Sequence, residues 1–305
     1  MARPEPAPDR AGAAAPAPGR SGRLPPQAFF LISAVFHYLG PSLAVLLFAR
    51  VGVLGVAWLR IASAALVFAV WRRPWRWLPL LRSGGQLRLL LGLGVVLAAM
   101  NTCFYLAVAR LPLSTVGSIE FLGTVVLAAA GARTKRNAAA LGLTTTGVAM
   151  ITALRLTGHP LGFVFAFGNC ALFMLYVILG HRVAGIGAGQ RGSGSGGIGL
   201  LAAAMVIAAV AVTPVGLASA LPAFRNPVLV LAGTGVGVCS SVIPYVTDQL
   251  AMARLPRATF ALMLALLPVF ATIIGAIVLR QFPTPLDLAG ITLVTAGVAV
   301  HKERT

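Results

Sequence analysis

Acidic side chains are nearly absent from this sequence. Only six of the 305 residues are Asp or Glu, and charged residues of both signs make up 10% of the chain. A soluble protein usually carries about 25% charged residues, so this chain has too little polar surface to cover a water-soluble globule. The composition therefore excludes an ordinary soluble domain and favours a protein that lies in a membrane.

Cysteines and catalytic motifs are also scarce. The three cysteines, Cys103, Cys170 and Cys239, lie inside apolar runs, where cysteine usually acts as a small packing residue. The four histidines are scattered, and neither an H-E-x-x-H metal motif nor a G-x-S-x-G nucleophile motif occurs. These absences argue against a disulfide-stabilised protein, a metalloenzyme and a hydrolase. We expect no cofactor, no metal site and no enzymatic activity.

Long apolar runs occupy most of the chain. They follow a tail at residues 1–27, rich in Pro, Ala, Gly and Arg, that has too little apolar bulk to order itself. Each run approaches the length of about 20 residues that crosses a bilayer as a helix. We predict an all-α polytopic membrane protein with ten transmembrane helices. The predicted spans are 28–48, 52–71, 87–108, 113–132, 138–154, 160–180, 197–217, 227–250, 257–279 and 284–300.

The basic residues predict an orientation, because cytoplasmic loops of membrane proteins are enriched in Lys and Arg. With both termini in the cytoplasm, 18 of the 24 basic residues fall inside, five fall outside, and Arg60 lies within a span. The net charge of +18 is then explained by the basic residues on the cytoplasmic side of the membrane. Nucleic acid is therefore not an expected partner, although so basic a soluble chain would suggest one.

A short repeat divides the chain into halves. The segment "LAVARLP" at 106–112 recurs as "LAMARLP" at 250–256, and the copies end the third and eighth predicted spans. The copies are five spans apart, so the repeat unit is five spans. Because five is an odd number, the two copies of the unit must lie in the membrane in opposite orientations. Inverted repeats around a midplane site are a recurring plan of secondary transporters. We predict five-helix repeats at 28–155 and 160–301, with a flexible cytoplasmic Gly/Ser loop at 185–199.

Two of the six acids, Glu120 and Asp248, lie inside predicted spans. A charge at the bilayer centre costs about 2.5–3.5 kcal/mol on insertion scales, so such residues usually face a cavity or a partner. Burial favours the protonated form of a carboxyl group, which makes both residues candidate proton carriers. The alternatives are a neutral, hydrogen-bonded structural carboxyl group and, for Asp248, an interfacial pair with Arg254.

Other polar side chains fall at helical spacing within the spans. Arg60, in "WLRIASAAL", is permanently cationic and could bind a substrate carboxylate, pair with the buried glutamate or extend to the interface. Asn101 and Tyr105 share one helix face, and Tyr245 and Asp248 share another. These faces suggest either a shared aqueous cavity or hydrogen bonds that hold helices together.

Prolines within the spans should interrupt the helices, since proline has no backbone N–H. Pro41 follows His37 in "VFHYLGPS", and Pro244 lies in the second half. His37 either lines a cavity beside a broken helix or is a satisfied buried histidine. Asn169 and Tyr176, seven residues apart in the sixth span, share a further polar face.

Three segments resemble EamA-type transporters of the drug/metabolite transporter superfamily, and the resemblance is closest to the threonine/homoserine exporter branch. They are "WLRIASAALVFAVWRRPWR" at 58–76, "MNTCFYLAVARLPLSTVGSIEFLGTVVLA" at 100–128 and "SSVIPYVTDQLAMARLPRATFALMLALLPVFATIIGAIVL" at 240–279. The likeness covers about residues 28–300. It implies ten helices in two inverted halves around a central cavity, and it implies functional roles for Arg60, Asn101, Tyr105, Glu120 and Tyr245.

The sequence departs from that branch at four positions. Leu267 stands where an acid usually precedes the ninth-span proline, and Arg280 and Gln281 replace the usual "LGE" ending. Thr124 stands where a proline commonly follows "EF-x-G".

The sequence thus predicts a secondary transporter in the bacterial inner membrane, a proton-coupled exporter of small metabolites such as amino acids that works by alternating access. The expected partners are a small-molecule substrate, membrane lipid and protons, and a homodimer is an open alternative. The alternative function is a non-transporting structural or accessory membrane protein. The candidate substrate-binding or coupling residues are Arg60, Asn101, Tyr105, Glu120, Tyr245 and Asp248.

Overall fold

The structure, a computed structural model, consists of helices joined by short turns, with no strand among the residues that it describes. The described residues are 26–76, 84–131, 134–153, 159–191, 195–252 and 267–300. The helices are α1 (Pro26–Val51), α2 (Val53–Arg72), α3 (Gly84–Val108), α4 (Leu113–Gly131), α5 (Lys135–Ala153), α6 (Pro160–Arg191), α7 (Ser195–Ala220), α8 (Pro227–Gly237), α9 (Ile243–Met252), α10 (Leu267–Leu279) and α11 (Pro285–Val300).

Helices α8 and α9 are two parts of one helix, joined by a π-helical segment at Val238–Val242. The described residues therefore contain ten α-helices, together with short 3-10 helices at Pro74–Arg76 and Leu221–Arg225. Within the described ranges, six stretches are long and apolar enough to cross a membrane, and they are Ala28–Val51, Val53–Arg72, Gly84–Val108, Pro160–Gly180, Gly197–Arg225 and Pro227–Thr247. The prediction of an all-helical polytopic membrane protein is confirmed. The inverted relation of the two halves stays a prediction.

Three of the predicted segments lie wholly or partly outside the described residues. The tail at 1–27 lies outside them, except that α1 already begins at Pro26. The start of the ninth predicted span lies outside them, because α10 is described from Leu267. The second copy of the repeat, 250–256, is described only as far as Met252.

The Gly/Ser-rich segment 185–199 is mostly helical, which corrects the prediction of a flexible loop. Helix α6 continues to Arg191 and α7 begins at Ser195, while 192–194 lie outside the described residues. A glycine inside a helix costs about 1 kcal/mol relative to alanine. This local preference is too small to stop helices that are already nucleated over long apolar runs.

Prolines do not all interrupt their helices. Helix α1 continues through Pro41, contrary to the prediction; a long, packed helix tolerates the loss of one backbone hydrogen bond when its neighbours stabilise it. Pro244 lies two residues beyond the end of the π-helical segment, so its helix is distorted as predicted.

The turns between helices are tight. Only Gly52 separates α1 from α2, and its φ of 76° lies in the left-handed region that favours glycine. Thr284 and Asp287 start α11 with a capping box: the Asp287 carboxylate accepts from the Thr284 N–H at 2.9 Å, and the Thr284 hydroxyl accepts from the Asp287 N–H at 3.2 Å.

Helices from the two predicted halves pack against each other throughout the bundle. Helix α2 packs on α7 and α8, α3 packs on α6 and α7, and α5 packs on α11. Helix α1 packs on α9 and α10, while α4 lies between α5, α6 and α10. The polar residues on α1, α2, α3 and α4 are therefore brought together with those on α6 and the π-helical segment.

Candidate functional site

Arg60 lies inside the bundle, where only 6% of its surface is exposed. Its Nε donates to the Ser241 hydroxyl and its Nη2 donates to the Ser240 carbonyl oxygen, both at 3.1 Å. The guanidinium carbon also lies 5.2 Å from the centroid of the Tyr105 ring, within the range of a cation–π interaction. Arg60 thus connects α2 to α3 and to the π-helical segment.

Pro244 removes one possible donor to the Ser240 carbonyl group. In an α-helix the carbonyl of residue 240 would accept from the N–H of residue 244, but proline has no N–H. An unpaired carbonyl group away from water is costly. Arg60 gives the Ser240 carbonyl group a donor from another helix.

Two glycines allow this close approach. Gly40 of α1 lies against Ser240, where a Cβ atom would come within 2.7 Å of the Ser240 backbone nitrogen. Gly237 of α8 lies against α2, where a Cβ atom would come within 2.7 Å of the Arg60 carbonyl oxygen. The π-helical segment is therefore held tightly between α1 and α2.

Glu120 lies on α4 with 5% of its surface exposed, between two glycines that are each about one helical turn away. A Cβ atom at Gly117 would lie 3.0 Å from the Tyr38 hydroxyl oxygen of α1. A Cβ atom at Gly123 would lie 2.8 Å from the Cys170 sulfur of α6. Helices α1 and α6 therefore close on α4 on either side of the carboxyl group.

Several buried polar atoms near these residues have no hydrogen-bond partner among the described residues. The atoms are Glu120 Oε2, both polar atoms of Asn169, the hydroxyl oxygens of Tyr38 and Tyr105, and Ser240 Oγ. Both Tyr38 and the Asn169 amide lie near enough to Glu120 to interact with its carboxyl group. An unsatisfied buried group costs about 1–3 kcal/mol, so a cluster of them calls for an additional partner, which can be water or a ligand.

The structure brings some of the predicted site residues together. Arg60 and Tyr105 are in contact, as described above. Arg60 and Glu120 form no ion pair among the described residues, although they are near enough for their charges to interact. The direct pairing of these two residues, which the sequence left open, is therefore not present.

The other predicted site residues are placed differently. Asn101 donates from Nδ2 to the Leu97 carbonyl oxygen of its own helix at 2.8 Å. Tyr245 is partly buried on α9 and packs against the apolar cluster formed by α2, α3, α6 and α7. Asp248 also lies on α9, but its side chain is outside the described part of the chain.

Sequence reasoning missed Tyr38, Ser240 and Ser241. Tyr38 follows the more conspicuous His37, and its fully buried ring lies beside α4. The two serines precede Pro244 by four and three residues. The proline itself, which removes a backbone donor close to Ser240, is the signal that could have drawn attention to this segment.

The departures from the resembling branch also have defined positions. Gln281 Oε1 accepts from the Leu113 N–H at 3.0 Å, so it caps the start of α4, the helix that carries Glu120. This bond requires an acceptor oxygen, which the Gln281 amide supplies, and it does not require a charge. Leu267 is buried at the described start of α10.

Comparisons with known proteins place the chain in a family. The threonine/homoserine exporter RhtA of Escherichia coli (strain K12) is 30% identical over 302 residues, which cover 94% of this chain and 97% of the exporter. The chain belongs to the RhtA exporter family. The Salmonella typhimurium (strain LT2) exporter RhtA is 30% identical over 291 residues, which cover 92% of this chain and 93% of the exporter.

The structural comparison agrees with this RhtA-family assignment at the level of fold. A protein of known crystal structure has a TM-score of 0.57 and 18% identity, over 90% of this chain and 97% of the other. No protein-family model matches the chain. The resemblance to the threonine/homoserine exporter branch is confirmed, and the chain is a multi-pass membrane protein of a family of small-molecule exporters, not of enzymes.

Proposed function

We propose that this protein is a secondary transporter of the bacterial inner membrane that exports small amino acids such as threonine and homoserine in exchange for protons. The observation that carries the proposal is the group of buried, unpartnered polar atoms between the helices. Glu120, Tyr38 and Tyr105 come from the first five helices, and Asn169 and Ser240 come from the rest of the chain. A transported solute would find its binding groups at that junction.

The packing of the helices supports two related halves that rock about this junction in alternating access. When α1 to α5 are paired with α6, α7, α8–α9, α10 and α11, the α3–α6 contact corresponds to the contact of α1 with α8–α9. The α4–α6 contact likewise corresponds to the α1–α10 contact. The α2–α7 and α5–α11 contacts each join corresponding helices.

Arg60 is the proposed ligand of the substrate carboxylate. Its two hydrogen bonds to Ser240 and Ser241 use two of the five N–H groups of a guanidinium, so N–H groups remain that could face a substrate. A guanidinium group can bind a carboxylate through two parallel hydrogen bonds. Tyr105, against which the guanidinium lies, would limit its movement.

Glu120 is the proposed proton carrier, and proteoliposomes that contain L-threonine test this role. A gradient of one pH unit supplies about 1.4 kcal/mol per proton, enough for about a tenfold substrate gradient. We expect the wild-type protein to move L-threonine against its concentration under this gradient. Glu120→Gln should lose this uphill movement, because an amide cannot carry the proton.

The matched control is Asp287→Asn, which changes a buried carboxyl group outside the cluster in the same way and should retain uphill movement. Coupled movement that survives in Glu120→Gln would remove this carboxyl group from the mechanism. A wild-type protein that moves no amino acid would contradict the exporter function and favour a non-transporting membrane protein.

A further inference from the structure

We propose that Glu120, Asn169 and Tyr38 form a binding subsite for a primary ammonium group. The subsite would hold the amino end of the substrate, so this inference rests on the proposed export of amino acids. Its three side chains come from α4, α6 and α1, which meet beside the glycines at 117 and 123.

The chemistry of the three side chains matches an ammonium group. Glu120 Oε2, Asn169 Oδ1 and the Tyr38 hydroxyl oxygen are buried and accept no hydrogen bond from any described residue. An ammonium group has three N–H donors and no acceptor. It could donate to one oxygen on each of the three helices.

The positive charge of an ammonium group also suits the carboxylate of Glu120. A carboxylate inside protein is strongly destabilised unless an opposite charge lies against it. Among the described residues no cation forms an ion pair with Glu120, and the hydrogen bonds of the nearby Arg60 go to Ser240 and Ser241. A proton on Glu120 would remove the charge, but it would supply one donor where three acceptors are without a partner.

One buried tyrosine belongs to this subsite, and another contacts Arg60. The Tyr38 hydroxyl lies beside Gly117 of α4 and interacts with Glu120. The Tyr105 ring lies against the Arg60 guanidinium. Both hydroxyl oxygens are unpartnered, so Tyr38→Phe and Tyr105→Phe make the same chemical change at the ammonium end and at the carboxylate end.

The experiment measures exchange of radiolabelled L-threonine by the full-length protein in proteoliposomes, with two competitors. L-threoninol keeps the amino group without the carboxylate, and 3-hydroxybutyrate keeps the carboxylate without the amino group. Loss of a hydrogen bond to a charged group weakens binding roughly tenfold or more. We expect Tyr38→Phe and Asn169→Leu to raise the half-inhibiting concentration of L-threoninol by about that factor and to change that of 3-hydroxybutyrate by less than about twofold.

Tyr105→Phe should give the opposite pattern, with the larger change for 3-hydroxybutyrate. Tyr38→Phe keeps the buried ring and removes one unpartnered oxygen, so it tests the subsite even if Asn169→Leu does not fold. L-threonine exchange in which neither variant changes the L-threoninol value, or in which both competitors weaken equally, would overturn the subsite alone. A wild-type protein that exchanges no L-threonine and binds no L-threoninol would overturn the subsite and the proposed substrate together.

Discussion

The contact between α2 and α8 depends on the absence of a side chain at Gly237. A Cβ atom there would overlap the Ser63 hydroxyl and would lie 2.7 Å from the Arg60 carbonyl oxygen, whereas real Cβ atoms essentially never come closer than 3.0 Å to another atom. The backbone of α2 would have to move by at least about 0.3 Å. Gly235, two residues earlier in α8, provides the matched control, because a Cβ atom there meets nothing within 4 Å.

We therefore expect Gly237→Ala to lower the free energy of unfolding and Gly235→Ala to leave it unchanged or raise it. Alanine in place of glycine favours a helix by about 0.5–1 kcal/mol, and this gain applies to both variants. Overpacking applies only to Gly237→Ala and costs about 1–3 kcal/mol. The difference between the two variants should equal this overpacking cost.

Thermal unfolding in a single detergent measures this difference. A change of 1 kcal/mol shifts the Tm of a domain of about 150–250 residues by about 2–4 °C, so the Tm of Gly237→Ala should be measurably below that of Gly235→Ala. Threonine exchange by Gly237→Ala should also fall, because movement of α2 displaces the Arg60 guanidinium from Ser240. Equal Tm values for the two variants would refute the tight α2–α8 contact.

Two further predictions concern helix starts. Gln281→Leu removes the acceptor for the Leu113 N–H and should destabilise the protein by about 1–3 kcal/mol, whereas Gln281→Glu keeps an acceptor and adds a charge that a helix N-terminus favours. Thermal unfolding compares them, and an equal loss of Tm in both variants would contradict the cap. Asp287→Ala removes the carboxylate of the α11 capping box and should lower the free energy of unfolding by about 0.5–2 kcal/mol. Asp287→Asn should lower it less. A Tm for Asp287→Ala equal to that of the wild type would show that α11 does not need this carboxylate.

The positions of the helices could be predicted from the sequence because bilayer thickness fixes the length of a span. Even the Thr-rich fifth span corresponds to α5 at Lys135–Ala153. The partners of the polar residues could not be predicted in the same way. Arg60 bonds to residues 180 and 181 positions away, and that contact depends on how α2 crosses α8.

In the candidate site, too, the sequence identifies individual residues but not their contacts with distant parts of the chain. Glu120 and Arg60 are conspicuous as charges in apolar runs, and the spacing of Asn101 and Tyr105 correctly puts them on one helix face. That spacing does not reveal that Asn101 bonds to its own helix. It also gives no sign of Tyr38, whose proximity to Glu120 depends on the packing of α1 against α4 at Gly117.

In the proposed transport cycle, the close contacts at the two glycines beside Glu120 would limit the routes by which a solute reaches the carboxyl group. At Gly117, nearer the beginning of α4, the neighbours are Tyr38 and Ala271, and at Gly123, nearer its end, they are Cys170 and Met174. Parting α4 from α1 and α10 would admit water from one end of the helix, and parting it from α6 would admit water from the other. In the proposed alternating access, one pair of contacts would open while the other stays closed, so the same carboxyl group would be reached from the two sides of the membrane in turn.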